Sequence, residues 1–362
     1  MRVLHLVHPP STGDAALRRL RLLLDAEPAT HGVLVVGGSR DEDRVHRLGI
    51  NTWDRLSPPL RRPELAALTL RRFLRVRRFD LLHAWSPSCM AMAWLARPGL
   101  PLVTTLGLPP ETRRALIGTR LLRAAARHST LCFPGPWTRD AWFARLGITP
   151  PHHLVPNAFV DADAATRRDT LRAEWGIADG TIVILTGGDP IERQPSRLLM
   201  YVAALSVYAG QPAAVVLSTG ARDMERTRRF DVNFGGPWQL IFDDRPREDL
   251  LVGADVALWD HATSGVGATA APVGIDLLEH AAVRGVPIVA GEHPLLDELR
   301  ESCEARPHAE RPLIDLIQQI LQLQKDPEGV ARQSAMMQTS ARERHDPARW
   351  LAAYRELYAA AS

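Results

Sequence analysis

The sequence predicts an α/β protein built from two doubly wound parallel sheets. Short apolar runs, among them MRVLHLV (1–7), HGVLVVGG (31–38) and TIVILTGG (181–188), alternate with helical segments. Unbroken valine and leucine runs are typical of parallel strands that are covered on both faces, and dense strand–helix alternation is typical of doubly wound sheets. The length of 362 residues suits two domains, each able to bury its own core.

In the first half, predicted strands and helices follow one another in turn. The strands are expected at 1–7, 31–38, 81–86, 101–106 and 129–133. The helices are expected at 16–26, 63–77, 88–97, 111–127 and 137–147. In the first helix Leu17, Leu20 and Leu24 share one face. Its arginines, Arg18, Arg19 and Arg21, lie near the other face.

Residues 148–163 interrupt this pattern with three prolines, no helical period and a short strand, LVP (154–156), which together predict a linker. Strands then follow at 181–188, 213–220, 238–244 and 255–260. Helices are expected at 196–208, 247–254, 295–302 and 312–324, and a last amphipathic helix at 347–360. We expect one domain at 1–158, completed by a C-terminal helix at 346–362, and a second domain at 159–345.

The stretch VGIDLLEHAAVRGVPIVA (273–290) predicts a helix that leads into a buried strand. Apolar residues recur at helical spacing, Gly285 stands where a left-handed cap is needed, and Pro287 follows it. Glu279 is the one residue that this apolar helix does not need. Val273 and Gly274 open the helix, and free backbone N–H groups there can hold an anion. The stretch therefore predicts a site for a phosphate-bearing ligand.

Composition excludes several classes of protein. The three cysteines lie far apart with no CxxC pair, which argues against a disulfide or zinc framework. No run approaches the ~20 apolar residues of a membrane span, so we expect a cytoplasmic protein.

Residues 1–160 hold 23 arginines against 11 acidic residues, and the remainder holds 21 basic against 30 acidic residues. An arginine-rich first half favours anionic partners, although coding bias and solvated helix faces explain it equally well.

Several segments resemble the GT-B glycosyltransferases, in particular the retaining enzymes of family 4. In the first half the resemblance rests on DLLHAWSP, PLVTTLG and STLCFPGPWTRDAWFARLGI, and the phrase HLVPNAFVDAD is similar to the interdomain linker of that group. In the second half TIVILTGGDP, DLLVGADVALWDH and the 273–290 stretch follow in the family's order. The resemblance implies two Rossmann-like domains that face each other across a cleft, the first on the acceptor side and the second on the donor side.

The resemblance also implies site residues. Glu279 matches the second of two family glutamates and would contact the ribose of a nucleoside-diphosphate sugar. Arg193 is the candidate to grip the diphosphate, and Gly13 the candidate for the glycine loop near the reaction centre. The donor would be bound by Val273, Gly274, Ile275, Glu279 and Arg193. The resemblance implies no metal ion and no cofactor apart from the donor substrate.

Four positions depart from the family pattern. Ala271 replaces the first glutamate, Asp189 takes the place of a phosphate-binding arginine, and Gly107 stands where a histidine is common. The usual glycine pair after the first strand is reduced to Thr12–Gly13. Two functions from different classes therefore stay open. One is a glycosyltransferase that moves a hexose with retention, and the other is a family member that binds nucleotide, glycan or protein without turnover. A nucleotide-sugar epimerase is a weaker third reading.

Each candidate residue also has a purely structural interpretation. Glu279 could be a surface carboxylate or a buried partner of Arg284, Arg193 a solvated loop residue, and Gly13 an ordinary turn glycine. His83 lies in a core-like strand, where a satisfied core histidine is the favoured interpretation.

Two arginine-rich helices, at 63–78 and 111–127, predict either a solvated face or contact with an anionic membrane. The second option fits a lipid-linked acceptor and a peripheral location at the inner membrane face. A glycan acceptor stays equally open, and no nucleic-acid partner is expected.

Overall fold

The computed structural model describes most of the chain in two compact units. The described residues are 1–9, 14–51, 54–56, 63–96, 99–107, 118–159, 164–186, 196–217, 224–236, 238–243, 245, 247–259, 275–290, 318, 320–323 and 325–361. Unit 1 comprises Met1–Ala158 with His345–Ser362, and unit 2 comprises Phe159–Arg344.

Unit 1 contains a parallel sheet of seven strands in the order β3-β2-β1-β4-β5-β6-β7. The strands are β1 (Val3–Val7), β2 (His31–Val36), β3 (Asp54–Leu56), β4 (Leu81–Ala84), β5 (Leu102–Thr105), β6 (Thr130–Phe133) and β7 (His152–Leu154). The helices between them are α1 (Asp14–Ala26), α2 (Ser39–Arg47), α3 (Pro63–Val76), α4 (Pro87–Ala96), α5 (Thr119–Arg127) and α6 (Pro136–Leu146). All strand pairs of this sheet are parallel, so the predicted doubly wound fold is confirmed for this unit.

Unit 2 contains a parallel sheet of five strands in the order β10-β9-β8-β11-β12. The strands are β8 (Ile182–Thr186), β9 (Ala213–Leu217), β10 (Gln239–Phe242), β11 (Val256–Trp259) and β12 (Ile288–Ala290). The helices are α7 (Ala164–Glu174), α8 (Ser196–Tyr208), α9 (Met224–Phe234), α10 (Arg247–Leu250), α11 (Ile275–Arg284) and α12 (Pro327–Arg344). The chain ends with α13 (Pro347–Ala361), which packs in unit 1.

Each sheet is covered on both faces, as the apolar strands require. In unit 1, residues of α3, α4 and α5 form one core, and residues of α1 and α13 form the other. In unit 2, α8 packs on one face, whereas α7, α10 and α11 pack on the other. Both sheets therefore leave their strand ends as the natural place for ligands.

The sequence analysis missed several elements. Helices α2, α7, α9 and α12 and the edge strand β3 were not predicted, and β7 begins at His152, before the short LVP strand that was expected. The missed helices are polar: in α12 only Met337 and Ala341 are buried, which leaves no broad apolar stripe to detect. The predicted helix at 295–302 and most of the one at 312–324 lie outside the described residues, as does the start of the one at 111–127.

A row of polar side chains crosses four adjacent strands beneath α13. We define the histidine row as His31 on β2, His5 on β1, His83 on β4 and Thr105 on β5, all of them buried. The Nε2 atom of His5 lies 2.8 Å from Nδ1 of His31, and Nε2 of His83 lies 2.8 Å from Oγ1 of Thr105. The interpretation of His83 as a satisfied core histidine therefore agrees with its contacts.

Hydrogen bonds join helix α13 to the histidine row, although the helix lies far from these strands in the sequence. The Tyr358 hydroxyl is 2.7 Å from Nδ1 of His83, and the Tyr354 hydroxyl is 2.7 Å from Oγ1 of Thr105. At the edge of the row, Arg355 Nε donates to a Glu27 oxygen at 2.6 Å. These contacts explain how a C-terminal helix becomes part of the first unit.

Candidate active site

The strand order of each sheet defines where a ligand would bind. In unit 2 the first strand, β8, lies beside the fourth, β11, with Thr186 opposite Leu258. The next strands along the chain, β9 and β12, lie on opposite sides of this pair, and in sheets of this order the crevice for ligands lies at the carboxyl ends of the pair. The two segments predicted to bind the donor follow these same strands, since Arg193 comes after β8 and residues 273–275 come after β11. One common donor site at these strand ends therefore stays a prediction.

The cap at the C-terminal end of helix α11 fixes the position of the helix on the sheet. Gly285 adopts the left-handed conformation with φ of +70°, and the backbone N–H of Val286 donates to Ala281 at 2.8 Å. A Cβ atom at Gly285 would lie 3.2 Å from the Ser334 carbonyl oxygen, so a larger residue would crowd α12. Because β12 starts only a few residues later, α11 ends at the amino edge of the sheet. Its N-terminus is therefore directed towards the carboxyl edge, as an anion site needs.

Glu279 lies within the most buried part of α11. All six residues from Leu278 to Val283 are buried, and Glu279 itself is only 6% exposed. The interpretation of Glu279 as a surface carboxylate is therefore wrong, because the helix is enclosed on all sides at this level. Glutamate is rarely buried unless it has partners, and buried carboxylates concentrate at functional sites. The alternative of a structural pair with Arg284 stays open.

Gly13, Arg193, Val273 and Gly274 lie outside the described residues, as do the departing positions Ala271 and Asp189. Ile275 is the first residue of α11. Of the predicted donor-binding set, the structure therefore describes Ile275 and Glu279, which share one helix.

In unit 1 the corresponding crevice lies between β1 and β4. His8 follows β1 directly and is buried, and burial lowers its pKa while the nearby Asp41 carboxylate opposes that shift. The Asp41 carboxylate is fixed in position, since the Gly38 N–H donates to its Oδ2 at 2.8 Å. Ser86 follows β4 by two residues and accepts the N–H of Cys89 on Oγ at 3.2 Å, which caps α4. The carboxyl edge of this sheet thus carries polar side chains in fixed positions.

Arg19 is a residue that the sequence analysis misplaced. It was grouped with Arg18 and Arg21 near the polar face of α1, yet it is 3% exposed. A Cβ atom on Gly107 would lie 3.6 Å from its Nη2, so the guanidinium is beside the end of β5. Helical spacing gave no signal for this position, because only the packing of α1 on the sheet decides which arginine turns inwards. Leu23 is likewise buried, whereas Leu24 is only partly so.

The histidine row has no arrangement for a metal ion. Within the ranges that the structure describes, no group of three or more His, Cys, Asp or Glu side chains could hold one. In the row, ring nitrogens are instead occupied by hydrogen bonds to Trp85, Thr105 and Tyr358, and to one another. The row is therefore part of the core packing of unit 1.

Comparison with known proteins agrees with this architecture. Residues 20–163 match Glycosyltransferase Family 4, whereas no curated protein matches the chain by sequence. The crystal structure of Anabaena Alr3699/HepE in complex with UDP superposes with a TM-score of 0.77 at 15% identity, covering 99% of this chain and 100% of that one.

Two further solved structures are similar over nearly the whole chain. A glycosyltransferase from Rickettsia africae ESF-5 gives a TM-score of 0.75 at 11% identity, covering 99% of this chain and 98% of that one. Sucrose-phosphate synthase from Thermosynechococcus elongatus gives 0.68 at 14% identity, covering 99% and 100%. The chain therefore has the GT-B glycosyltransferase fold predicted from its sequence, and its residues 20–163 match Glycosyltransferase Family 4.

Proposed function

We propose that the chain is a glycosyltransferase that moves a hexose from a nucleoside-diphosphate sugar to an acceptor, with retention at the anomeric carbon. The observation that carries the proposal is the burial of Glu279 on α11, the helix that follows the switch-point strand β11. The fold and the family match over residues 20–163 support it. HepE was solved with UDP and with UDP-glucose, so uridine donors are the first to test.

In this proposal different residues of unit 2 bind different parts of the donor. Glu279 accepts hydrogen bonds from the ribose hydroxyls, and the backbone N–H groups of Val273, Gly274 and Ile275 hold the diphosphate. Arg193 adds a bidentate contact to the same diphosphate. A guanidinium together with a helix N-terminus would neutralise the leaving group without a metal ion.

The proposed reaction relies on position and charge more than on a dedicated base. The acceptor hydroxyl attacks the anomeric carbon on the face from which the diphosphate leaves, and its proton passes to a diphosphate oxygen. One C–O bond forms and the glycosyl–phosphate bond breaks, so nothing is oxidised or reduced. The protein would hold both substrates close and stabilise the developing charge on the diphosphate. Gly13 would allow the backbone after β1 to approach the reacting groups.

The non-catalytic alternative keeps specific support from the sequence. Ala271 has no carboxylate, Gly107 has no side chain, and Asp189 would repel a diphosphate. Losing one charge-stabilising group commonly costs about 2.7–4 kcal/mol in the transition state. A protein with all three replacements could therefore bind a sugar nucleotide without transferring the sugar.

Replacing Glu279 with Gln or Ala is expected to weaken sugar-nucleotide binding at least ~10-fold, since charge-assisted hydrogen bonds contribute about 1.5–3 kcal/mol each. Calorimetric titration with UDP-, GDP- and ADP-sugars measures this, and slow hydrolysis of the bound donor reports turnover. Glu225→Gln, which changes an exposed glutamate of the same unit, is the matched control. Circular dichroism establishes that each variant is folded.

The outcomes separate the two functions. Binding that the Glu279 variants lose, together with hydrolysis by the wild type, supports the transferase. Binding without hydrolysis or transfer to any acceptor supports the non-catalytic alternative. If no sugar nucleotide binds to the wild-type protein, the transferase is contradicted, and the non-catalytic alternative is left only with a glycan or a protein as its partner.

We further propose that α3 brings unit 1 to an anionic membrane that carries a lipid-linked acceptor. The exposed face of α3 and the residues after it combines apolar with basic side chains: Leu65, Leu68, Arg71, Arg72, Arg75, Val76, Arg77 and Arg78. In α5, by contrast, Arg123 donates to the Leu146 carbonyl oxygen at 2.5 Å and has a structural role. None of the helices in the described ranges is long and apolar enough to cross a bilayer.

The membrane proposal predicts salt-sensitive binding to vesicles that contain phosphatidylglycerol. Sedimentation should show binding at low ionic strength that falls steeply near ~0.15 M salt. Arg71→Ser with Arg75→Ser should reduce binding, because basic residues near such a surface contribute about 1 kcal/mol each. Leu65→Ser with Leu68→Ser should also reduce it, because these two leucines are exposed and an apolar face is buried at the interface. Arg332→Ser with Arg342→Ser removes the same charge from α12 and should change little. Equal binding by all these proteins, or none at low salt, would refute the proposal.

A further inference from the structure

Arg19 is a buried cation at the carboxyl edge of the unit 1 sheet. Arginine keeps its charge in proteins, so burying it requires a setting that accepts a permanent positive charge. Its 3% exposure contrasts with Arg21 on the same helix, whose side chain is 51% exposed. The distinct burial shows that α1 turns this one guanidinium towards the sheet.

The direction of α1 explains where the guanidinium ends up. Helix α1 begins at Asp14, soon after β1 ends at Val7, and ends at Ala26, just before β2 begins at His31. Its N-terminus therefore lies at the carboxyl edge of the sheet. Side chains on a helix lean towards the helix N-terminus, so the long arginine side chain extends to that edge.

The neighbours of Arg19 agree with this placement. Gly107 comes two residues after the last residue of β5, Thr105, and a Cβ atom on Gly107 would lie 3.6 Å from Nη2 of Arg19. Tyr354 donates to or accepts from Thr105 at 2.7 Å, and the charge of Arg19 acts to lower the pKa of this tyrosine against the larger effect of burial. Arg19, Gly107, Thr105 and Tyr354 thus form a small polar cluster at the end of β5.

The chemistry of this cluster favours an anion with several oxygens. A guanidinium presents a planar fork of N–H donors that matches a phosphate group. Parallel sheets bind ligands at their carboxyl edge, and β5 lies beside β4, one of the two strands of the unit 1 crevice. Because Gly107 has no side chain, no Cβ atom stands between its backbone and Nη2 of Arg19.

We propose that Arg19 binds a phosphate group of a substrate at the carboxyl end of β5. The identity of that substrate rests on the proposed transferase function: the phosphate belongs either to a phosphate-bearing acceptor or to the diphosphate of the donor. Either source uses the same contact, and a titration with separate ligands distinguishes them. A purely structural Arg19, which only holds backbone carbonyl groups, would affect stability and leave phosphate binding unchanged.

The test compares Arg19→Gln and Arg19→Lys with Gly107→Ala. The alanine variant leaves the charge in place and adds one methyl group 3.6 Å from Nη2, an ordinary contact distance that folding tolerates. Arg21→Gln is the matched control from the exposed side of α1. Inorganic phosphate, pyrophosphate, UDP and UDP-glucose are titrated separately by calorimetry, with circular dichroism as the check on folding.

We expect Arg19→Gln to weaken phosphate binding at least ~10-fold, a loss of about 1.4 kcal/mol, and Gly107→Ala to weaken it several-fold. Arg19→Lys should recover part of the affinity, since an ammonium keeps the charge but not the fork. Loss for inorganic phosphate with UDP unchanged identifies the acceptor. Loss for UDP and pyrophosphate identifies the donor.

Other results overturn the inference. It is wrong if folded Arg19→Gln and Gly107→Ala bind all four ligands as Arg21→Gln does. It is also wrong if the wild-type protein binds neither phosphate nor pyrophosphate at millimolar concentration. If phosphate binding needs Arg19 but no sugar nucleotide binds, the proposed transferase is contradicted and the Arg19 site is still supported.

Discussion

Lowering the pH from about 6.5 to about 5.5 is expected to remove ~2–3 kcal/mol from the free energy of unfolding of unit 1. The cause is the histidine row. Burial holds the pKa of His5 and His83 well below the usual value and lowers that of His31, against which the Glu27 carboxylate acts. The folded protein therefore carries these rings in the neutral form.

The hydrogen bonds explain why the row resists protonation beyond the effect of burial. The Trp85 indole N–H donates to Nδ1 of His5 at 3.1 Å, so the neutral His5 ring carries its proton on Nε2. That proton is donated to Nδ1 of His31, whose Nε2 then faces a Glu27 oxygen at 3.5 Å. An added proton on Nδ1 of His5 would face the Trp85 N–H, and one on Nδ1 of His31 would face the His5 N–H. In either case two donors would meet with no acceptor between them. Protonation thus breaks a bond as well as burying a charge.

The direction of the effect follows from the two pKa values of each ring. In the unfolded chain a histidine titrates near its ordinary value of ~6.5, and in the folded chain it titrates lower. Below about pH 6.5 the unfolded state binds more protons, so stability falls as pH falls, by roughly 1 kcal/mol per histidine over the next pH unit. Above about pH 7.5 the row contributes no pH dependence. His8, whose pKa is also lowered by burial, acts in the same direction.

Urea unfolding at about pH 7.5, 6.5 and 5.5, followed by tryptophan fluorescence, measures this dependence. Hydrogen exchange in peptides from β1, β4 and α13 assigns it to unit 1. The double variant His5→Gln with His83→Gln should lose about 2 kcal/mol of the dependence, although it is less stable at every pH. The exposed His153, changed to Gln, is the control and should keep the wild-type dependence. An unchanged slope in the double variant would show that the acid sensitivity arises elsewhere.

The histidine row also shows what the sequence could not predict. The run VLHLV predicts β1, and LLHAWS predicts β4, because their apolar residues are continuous. That His5 and His83 stand opposite each other follows only from the register of the two strands. The hydrogen-bond partner of His83, Tyr358, comes from a helix 275 residues away in the chain. Local patterns predict elements, whereas such partners depend on how the elements pack.

The candidate site residues also differ in whether the sequence could predict them. Glu279 could be found from the sequence, because it lies beside the apolar Leu278 in a helix that ends with a clear stop signal. Arg19 could not, since three arginines occupy α1 and only the contact of α1 with the sheet separates them. Helix α7 was missed because polar bonds replace the apolar stripe on which prediction depends. Arg168 donates to the carbonyl oxygens of Val252 and Ala254.

Those bonds of α7 belong to a cluster on which unit 2 is expected to depend strongly. Asp255 precedes β11 and accepts from Arg172 at 2.9 Å, from Arg168, and from the backbone N–H of Val183 at 2.8 Å. Arg172 also donates to the Gly253 and Thr181 carbonyl oxygens. One carboxylate therefore joins α7, β8 and the turn before β11.

Asp255→Ala is expected to lower the free energy of unfolding of unit 2 by about 3 kcal/mol. Removing one partner leaves two partly buried arginines and a strand N–H without an acceptor, and each such loss is costly. The side chains of Asp255, Arg168 and Arg172 are 28%, 37% and 18% exposed. Solvent therefore compensates for part of the loss, which keeps the expected value below the upper range for fully buried pairs. Glu225→Ala, which breaks an exposed pair with Arg229, should cost less than about 0.5 kcal/mol.

Urea unfolding of both variants measures the difference, and Arg172→Met, alone and combined with Asp255→Ala, completes a double-mutant cycle. The Asp255 and Arg172 changes should be strongly non-additive because they share one network. A loss for Asp255→Ala no larger than that for Glu225→Ala would contradict the argument. The folded variant should still bind sugar nucleotides with wild-type affinity, since Asp255 lies at the amino edge of the sheet. The proposed donor site lies at the carboxyl edge, about 13 Å along β11. Lost stability with retained affinity would thus separate the residues that hold unit 2 together from those that bind the donor.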